Sequence, residues 1–164
     1  MEKFNPITDE IKSLLLDRLS NEYEAHFFYQ NAANYCENVG YTLFAKYLKN
    51  EAADELIHAG KLQKFLNDWG IMFTIPLVEV SPKFTGLPDI LEKAYQIECD
   101  LYEAYNDNAN TVENIDRSAY NLMLEMVAIQ YSSVAEYRTF IDSLSLYGTD
   151  KTSIKIFEHE TFEN

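Results

Sequence analysis

Residues 53–62 read ADELIHAGKL. Wound as a helix, this stretch sets Glu55 and His58 three positions apart and therefore on one face. Leu48 and Leu62, one heptad to either side of Glu55, fall on the same face. A face bounded by leucines belongs to a core, yet its middle carries a carboxylate and an imidazole. An ionised carboxylate left unpaired in a core is strongly destabilising, so the rest of the chain must supply whatever makes it tolerable.

Outward from this stretch, four long segments carry apolar residues at helical spacing. The first runs from near Pro6 to about Glu37, with the stripe Ile11, Leu15, Leu19, Glu22, Ala25/His26, Tyr29, Ala33, Cys36. The second runs from about Tyr41 to Trp69, stops at Gly70, and has the stripe Phe44, Leu48, Glu51/Ala52, Glu55, His58, Leu62, Phe65, Trp69. The third opens at Leu87-Pro88-Asp89 and shows Leu91, Ala94, Glu98, Leu101, Tyr105. The fourth follows the polar stretch NANTVENID and shows Leu122, Met126, Gln130, Val134, Tyr137, Ile141, Leu144 before Gly148. A tail over residues 151–160 is expected to form a short fifth helix. The links between the first and second and between the third and fourth segments are short, which makes antiparallel neighbours. IMFTIPLVEVSPKFTG, residues 71–86, is long and extended enough to return the chain along the whole bundle. The expected fold class is all-α: an up-down-down-up four-helix bundle with one long crossover between helices two and three.

Each stripe is interrupted near its middle by a residue able to bind a metal: Glu22, then Glu55 with His58, then Glu98, then Gln130. Three inward carboxylates would repel one another, and no Lys or Arg lies beside them on these faces; Arg18, Lys61 and Arg138 fall elsewhere. A pair of divalent cations removes both difficulties, because it supplies positive charge and takes the oxygens as ligands. Glu-x-x-His projects two ligands from successive turns, and one Glu-x-x-His is weak evidence alone. Four registered positions on four helices joined by a crossover are the pattern of di-iron carboxylate bundles. The charge balance agrees. The 164 residues hold 27 acids against 13 bases, a net −14 that repels nucleic acid and anionic lipid and attracts cations. No apolar run reaches transmembrane length, and MEKFNPITDE lacks a leader pattern, so a cytoplasmic location is expected, with neither nucleic acid nor membrane as partner. Cys36 and Cys99 are read as isolated core thiols.

With these residues in place the chain resembles the ferritins over nearly its whole length. LFAKYLKNEAADELIHAGKL looks like the second helix of animal heavy-chain ferritins, and IDSLSLYG like the end of the fourth helix in bacterial non-haem ferritins. The resemblance implies a single ferritin-like domain over residues 1–164, and an iron-storage function in which Fe(II) is oxidised to Fe(III) by O2 or H2O2. It carries the family's ferroxidase ligands onto Glu22, Glu55, His58, Glu98 and Gln130, with Glu55 bridging. Its tyrosine, seven positions beyond the first glutamate, falls on Tyr29 as a source of an electron or proton. A homo-oligomeric cage of 24 subunits is likewise implied, with Asp116 and Glu125 at threefold channels and Ile154, Ile156 and Phe157 of the tail at fourfold contacts.

The departures are informative. Helix four carries Gln130-x-x-Ser133, as in heavy-chain centres, rather than a second Glu-x-x-His or Glu-x-x-Glu. Ile129 and Ser132 stand where the third iron site of bacterial ferritins needs acids, and Leu56 and Ile57 where bacterioferritins ligate haem, so neither feature is expected. Asp54 keeps one mineral-seeding acid, while Ile57 and Gly60 do not. Gln130 also admits satisfaction by backbone or a neighbouring tyrosine. Tyr29 admits a plain core role, His26 either an extra ligand or an interface residue, and Glu51 either transit of iron or a solvated carboxylate. Tyr131 and Trp69 are read as packing. Two rivals remain: another di-metal protein such as a rubrerythrin-like peroxidase, against which the absence of CxxC pairs counts, and a storage shell with a weak or vestigial oxidation site.

Overall fold

The computed structural model describes residues 1 and 4–163; residues 2 and 3, within the stretch read for a leader, and residue 164 lie outside the described residues. Five helices follow one another, α1 (Asp9–Val39), α2 (Thr42–Asp68), α3 (Leu87–Val112), α4 (Arg117–Leu144) and α5 (Lys151–Phe162), with no strand among the described residues. The chain is all-α, as expected. No helix among the described residues is long and apolar enough to cross a membrane.

Local chemistry fixes the ends. α1 begins three residues later than Pro6 suggests, because the Thr8 hydroxyl accepts from the Ile11 N–H at 3.2 Å and caps the first turn. It ends at Gly40, whose φ of 93° only glycine adopts cheaply and which lets the Tyr41 N–H reach the Cys36 carbonyl at 2.8 Å. Asp116 and Asp150 cap α4 and α5 in the same way as Thr8 caps α1. A second boundary departs from expectation. Asn108 to Val112, read as the start of a polar link, form the last turn of α3, because Asn108, Ala109 and Val112 continue its buried face. The link is therefore only residues 113–116.

α1 and α2 pack as an antiparallel pair, as do α3 and α4. Tyr29 and Glu22 of α1 meet Glu98 and Tyr105 of α3 in reverse order, so those two helices are antiparallel as well. Phe44–Phe140 and Lys61–Glu125 contacts run α2 against α4 in opposite directions. α2 and α3 are thus parallel, and residues 69–86 carry the chain back between them, with Phe84 seated edge-on against Phe28 and Tyr35 of α1. The core runs the length of the bundle. Each fully buried leucine in it, such as Leu48 and Leu62, contributes about 2 kcal/mol of apolar burial. Cys36 is buried there, its thiol pushed up to about 12 by burial, whereas Cys99 is only half-buried beside Tyr95.

α5 corrects an expectation. Ile154 and Phe157 do not stand free for contacts between subunits; they are buried against their own chain, Phe157 lying 5.5 Å from Phe44 and from Tyr147. Ile156 alone of the three is exposed, at 48%. The helix is fastened by Glu158, fully buried, whose Oε1 accepts from the Leu43 and Phe44 N–H groups at 2.7 and 2.9 Å while Lys155 pairs with Oε2 at 2.7 Å. Glu158 thereby serves as the missing N-cap of α2, where Tyr41 offers no side-chain bond.

Candidate metal centre

Heptad spacing aims α1 and α2 residues into the bundle's middle. Leu15, Leu19 and Tyr29 share a buried face with Glu22, and Leu48 and Leu62 share one with Glu55. Glu22, Glu98 and Gln130 are fully buried and Glu55 is 3% exposed. His58 Nδ1 lies 3.0 Å from Glu55 Oε2 and 3.6 Å from Glu22 Oε2. One ligand-capable atom from each of Glu22, Glu55 and His58 falls within 4.8 Å of the others, a spread a single cation can bridge. Glu98 enters the same cluster electrostatically, through Glu55, Glu22 and His58. Gln130 is buried with neither amide atom partnered, so neither backbone nor tyrosine satisfies it. Glu98 Oε2 has no hydrogen-bond partner either, and Glu22 Oε2 faces only the His58 imidazole at 3.6 Å.

Electrostatics state the same problem in energy. Burial, then the Glu22 carboxylate, pushes Glu55 well above the usual carboxylate range. Burial pushes Glu98 up to about 8, opposed by the Tyr29 hydroxyl and reinforced by Glu22. Burial works to lower His58, but its bond to Glu22 and the charges around it win, and the imidazole titrates above its ordinary value. No Lys or Arg among the described residues is paired with Glu22, Glu55 or Glu98. Lys61 is engaged with Glu125 at 2.5 Å. Buried oxygen donors with one imidazole, uncompensated by protein cations, suit hard divalent metals.

Two buried tyrosines close the cluster from the other side. Tyr29 donates to Glu98 Oε1 and Tyr105 donates to Glu22 Oε1. Tyr105 was legible only as a stripe residue, although it stands seven places after Glu98 as Tyr29 stands seven after Glu22. Further out, Tyr29 stacks at 5.9 Å on Tyr137, whose hydroxyl reaches Glu51 at 3.4 Å. Glu51 is not a freely solvated carboxylate. Burial, then the like charge of Glu136, raises it to about 7. His26 turns away from the cluster, its Nδ1–H donating to the Ala52 carbonyl at 2.6 Å and tying α1 to α2. Trp69 packs edge-on against Phe4, whereas Tyr131 is 66% exposed and packs no core.

The ferritin-like domain family matches residues 12–147, most of the chain. This chain belongs to the ferritin family. A probable bacterial non-haem ferritin-like protein of Haemophilus influenzae is 24% identical over 156 residues, covering 94% of each chain. A bacterial non-haem ferritin of Staphylococcus epidermidis is 26% identical over 159 residues, with the same coverage. Among solved structures, an open-pore ferritin of Archaeoglobus fulgidus superposes with a TM-score of 0.90 at 20% identity, covering 97% of this chain and 98% of that one. The ferritin-like four-helix bundle with long crossover and short fifth helix is therefore the fold of this chain.

Proposed function

We propose that this ferritin binds two Fe(II) ions as substrate between its four helices, oxidises them with O2 or H2O2, and stores the ferric product inside a shell of 24 copies. The convergence of the buried Glu22 and Glu55 with the partly buried His58, paired with no lysine or arginine among the described residues, carries this reading. Glu55 bridges the ions, with Glu22 and His58 on one and Glu98 with Gln130 on the other. Anionic oxygens stabilise Fe(III) more than Fe(II), since the attraction grows with cation charge, so this ligand set favours loss of an electron from each iron. Tyr29, bonded to Glu98, orients that carboxylate and holds a proton and an electron beside it. The chain acts as one ferritin-like domain over residues 1–164, with iron and oxidant as its small partners and the cytoplasm as its place of action. Haem has no part in it.

Anaerobic Fe(II) titration followed by a timed O2 pulse tests the reading. Saturation near two Fe(II) per chain and a fast oxidation phase are expected, and Glu55→Ala or His58→Ala removes the fast phase while the helical signal persists. Wild-type iron oxidation without a saturable fast phase would leave only a storage shell. A solution mass of about 460 kDa, 24 copies of a 19.0 kDa chain, tests the assembly separately.

A further inference from the structure

Glu22 on α1 and Glu98 on α3 are each followed seven residues later by a fully buried tyrosine, and the hydroxyls cross over. Tyr29 of α1 serves Glu98 of α3, and Tyr105 of α3 serves Glu22 of α1. The arrangement is one unit used twice, related by reversal of two antiparallel helices. Packing alone asks for neither hydroxyl: α1 buries Phe28 beside Tyr29 with no polar group on its ring, and the other buried positions of the two helices are mostly aliphatic.

We propose that Tyr105, bonded to Glu22 as Tyr29 is to Glu98, is a second electron and proton donor, and that it completes the reduction of O2 to water at the two-iron site. This inference rests on the ferroxidase reading above. Reducing O2 to two waters takes four electrons and four protons. Two Fe(II) alone supply two electrons and stop at H2O2, and two Fe(II) with a single tyrosine supply an odd number and stop at a radical. With both tyrosines the balance closes: two Fe(II), two tyrosine O–H groups, one O2 and two protons from solvent give two Fe(III), two tyrosyl radicals and two waters. Each O–H bond breaks, with its proton and one electron passing to oxygen. Each tyrosyl is then restored by one Fe(II) of the next pair and one solvent proton, giving Fe(III) and the intact phenol.

The test loads the full chain anaerobically with two Fe(II) per subunit and mixes it with O2. H2O2 released per O2 consumed is read by a coupled peroxidase assay, and tyrosyl radicals by absorption and EPR. Wild type is expected to release little peroxide and to show a tyrosyl signal. Tyr105→Phe and Tyr29→Phe are each expected to raise the peroxide yield several-fold with Fe(II) binding still saturable, a change that a purely structural hydroxyl would not produce. If the wild type lacks fast oxidation, the ferroxidase reading falls and this inference with it. If fast oxidation is present but Tyr105→Phe matches wild type in peroxide and radical yield, the pairing alone falls. Should the variant fail to fold, wild type still decides: one peroxide per O2 without any tyrosyl signal overturns the proposal.

Discussion

Glu51 allows the electrostatic reasoning to be tested away from the proposed iron ligands. Its carboxyl is raised from 4.5 to about 7 by burial and by Glu136 and Asp54, while Tyr47 and Tyr137 partly offset the rise by hydrogen bonding. The folded chain therefore keeps a proton that the unfolded chain releases. Stability from this group is fully present below about pH 4.5, is lost as pH rises to about 7, and stays lost above that. The whole shift corresponds to about 3 kcal/mol, and between about pH 5 and pH 8 the loss is about 2 kcal/mol after allowing for partial exposure. Glu51→Gln removes the titration while keeping an acceptor for the Tyr137 hydroxyl. Urea unfolding of the metal-free protein, at one protein concentration with a chelator present, should show the variant gaining on wild type by about 2 kcal/mol between those two pH values. A difference between variant and wild type that is the same at both pH values would show that Glu51 is solvated and the burial argument wrong.

Three further outcomes follow from particular contacts. Glu55→Gln removes the most compressed carboxylate, so the metal-free variant should unfold at higher urea than wild type at pH 8 while losing saturable Fe(II) binding; lower stability would contradict the like-charge account. Glu158→Ala strips the acceptor from the Leu43 and Phe44 N–H groups and should cost about 2 kcal/mol, with limited proteolysis releasing the tail faster than in wild type. Gly40→Ala meets no neighbouring atom, so its cost of about 1 kcal/mol in chemical unfolding comes from the left-handed backbone alone.

The bundle was legible because its signals are local and repeated. Leucine and alanine at helical spacing, and glycine at Gly40 and Gly148, fix helices whatever packs on them. Glu22, Glu55, His58, Glu98 and Gln130 could be read from the same periodicity, because each interrupts an apolar stripe and interruption is itself the signal. What escaped depends on contacts between helices distant in sequence. Tyr105 reads as one more aromatic core residue until Glu22, on another helix, is placed beside its hydroxyl. Glu158 reads as a surface acid of a short tail until α5 folds back on the start of α2. The tail's apolar residues misled for the same reason: Ile154 and Phe157 suit a subunit contact or a home core equally well, and only the position of Phe44 decides. Asn108 misled through composition, since a polar residue late in a helix looks like a turn while its face is still buried.

Stability and affinity are set here by the same side chains. In the metal-free chain Glu55 and Glu98 resist ionisation because they share a dry interior with Glu22 and no lysine or arginine answers them. A bound cation reverses the sign of each of those interactions at once: it lets the carboxylates ionise, releases their protons, and turns mutual repulsion into shared attraction. The destabilisation of the empty bundle and the affinity proposed for the loaded one are thus two readings of a single charge excess. Adding a positive side chain within the cluster would steady the empty bundle and weaken the proposed binding of iron together. No lysine or arginine among the described residues is paired with these carboxylates, which is why the cluster suits a metal ion better than a buried salt bridge.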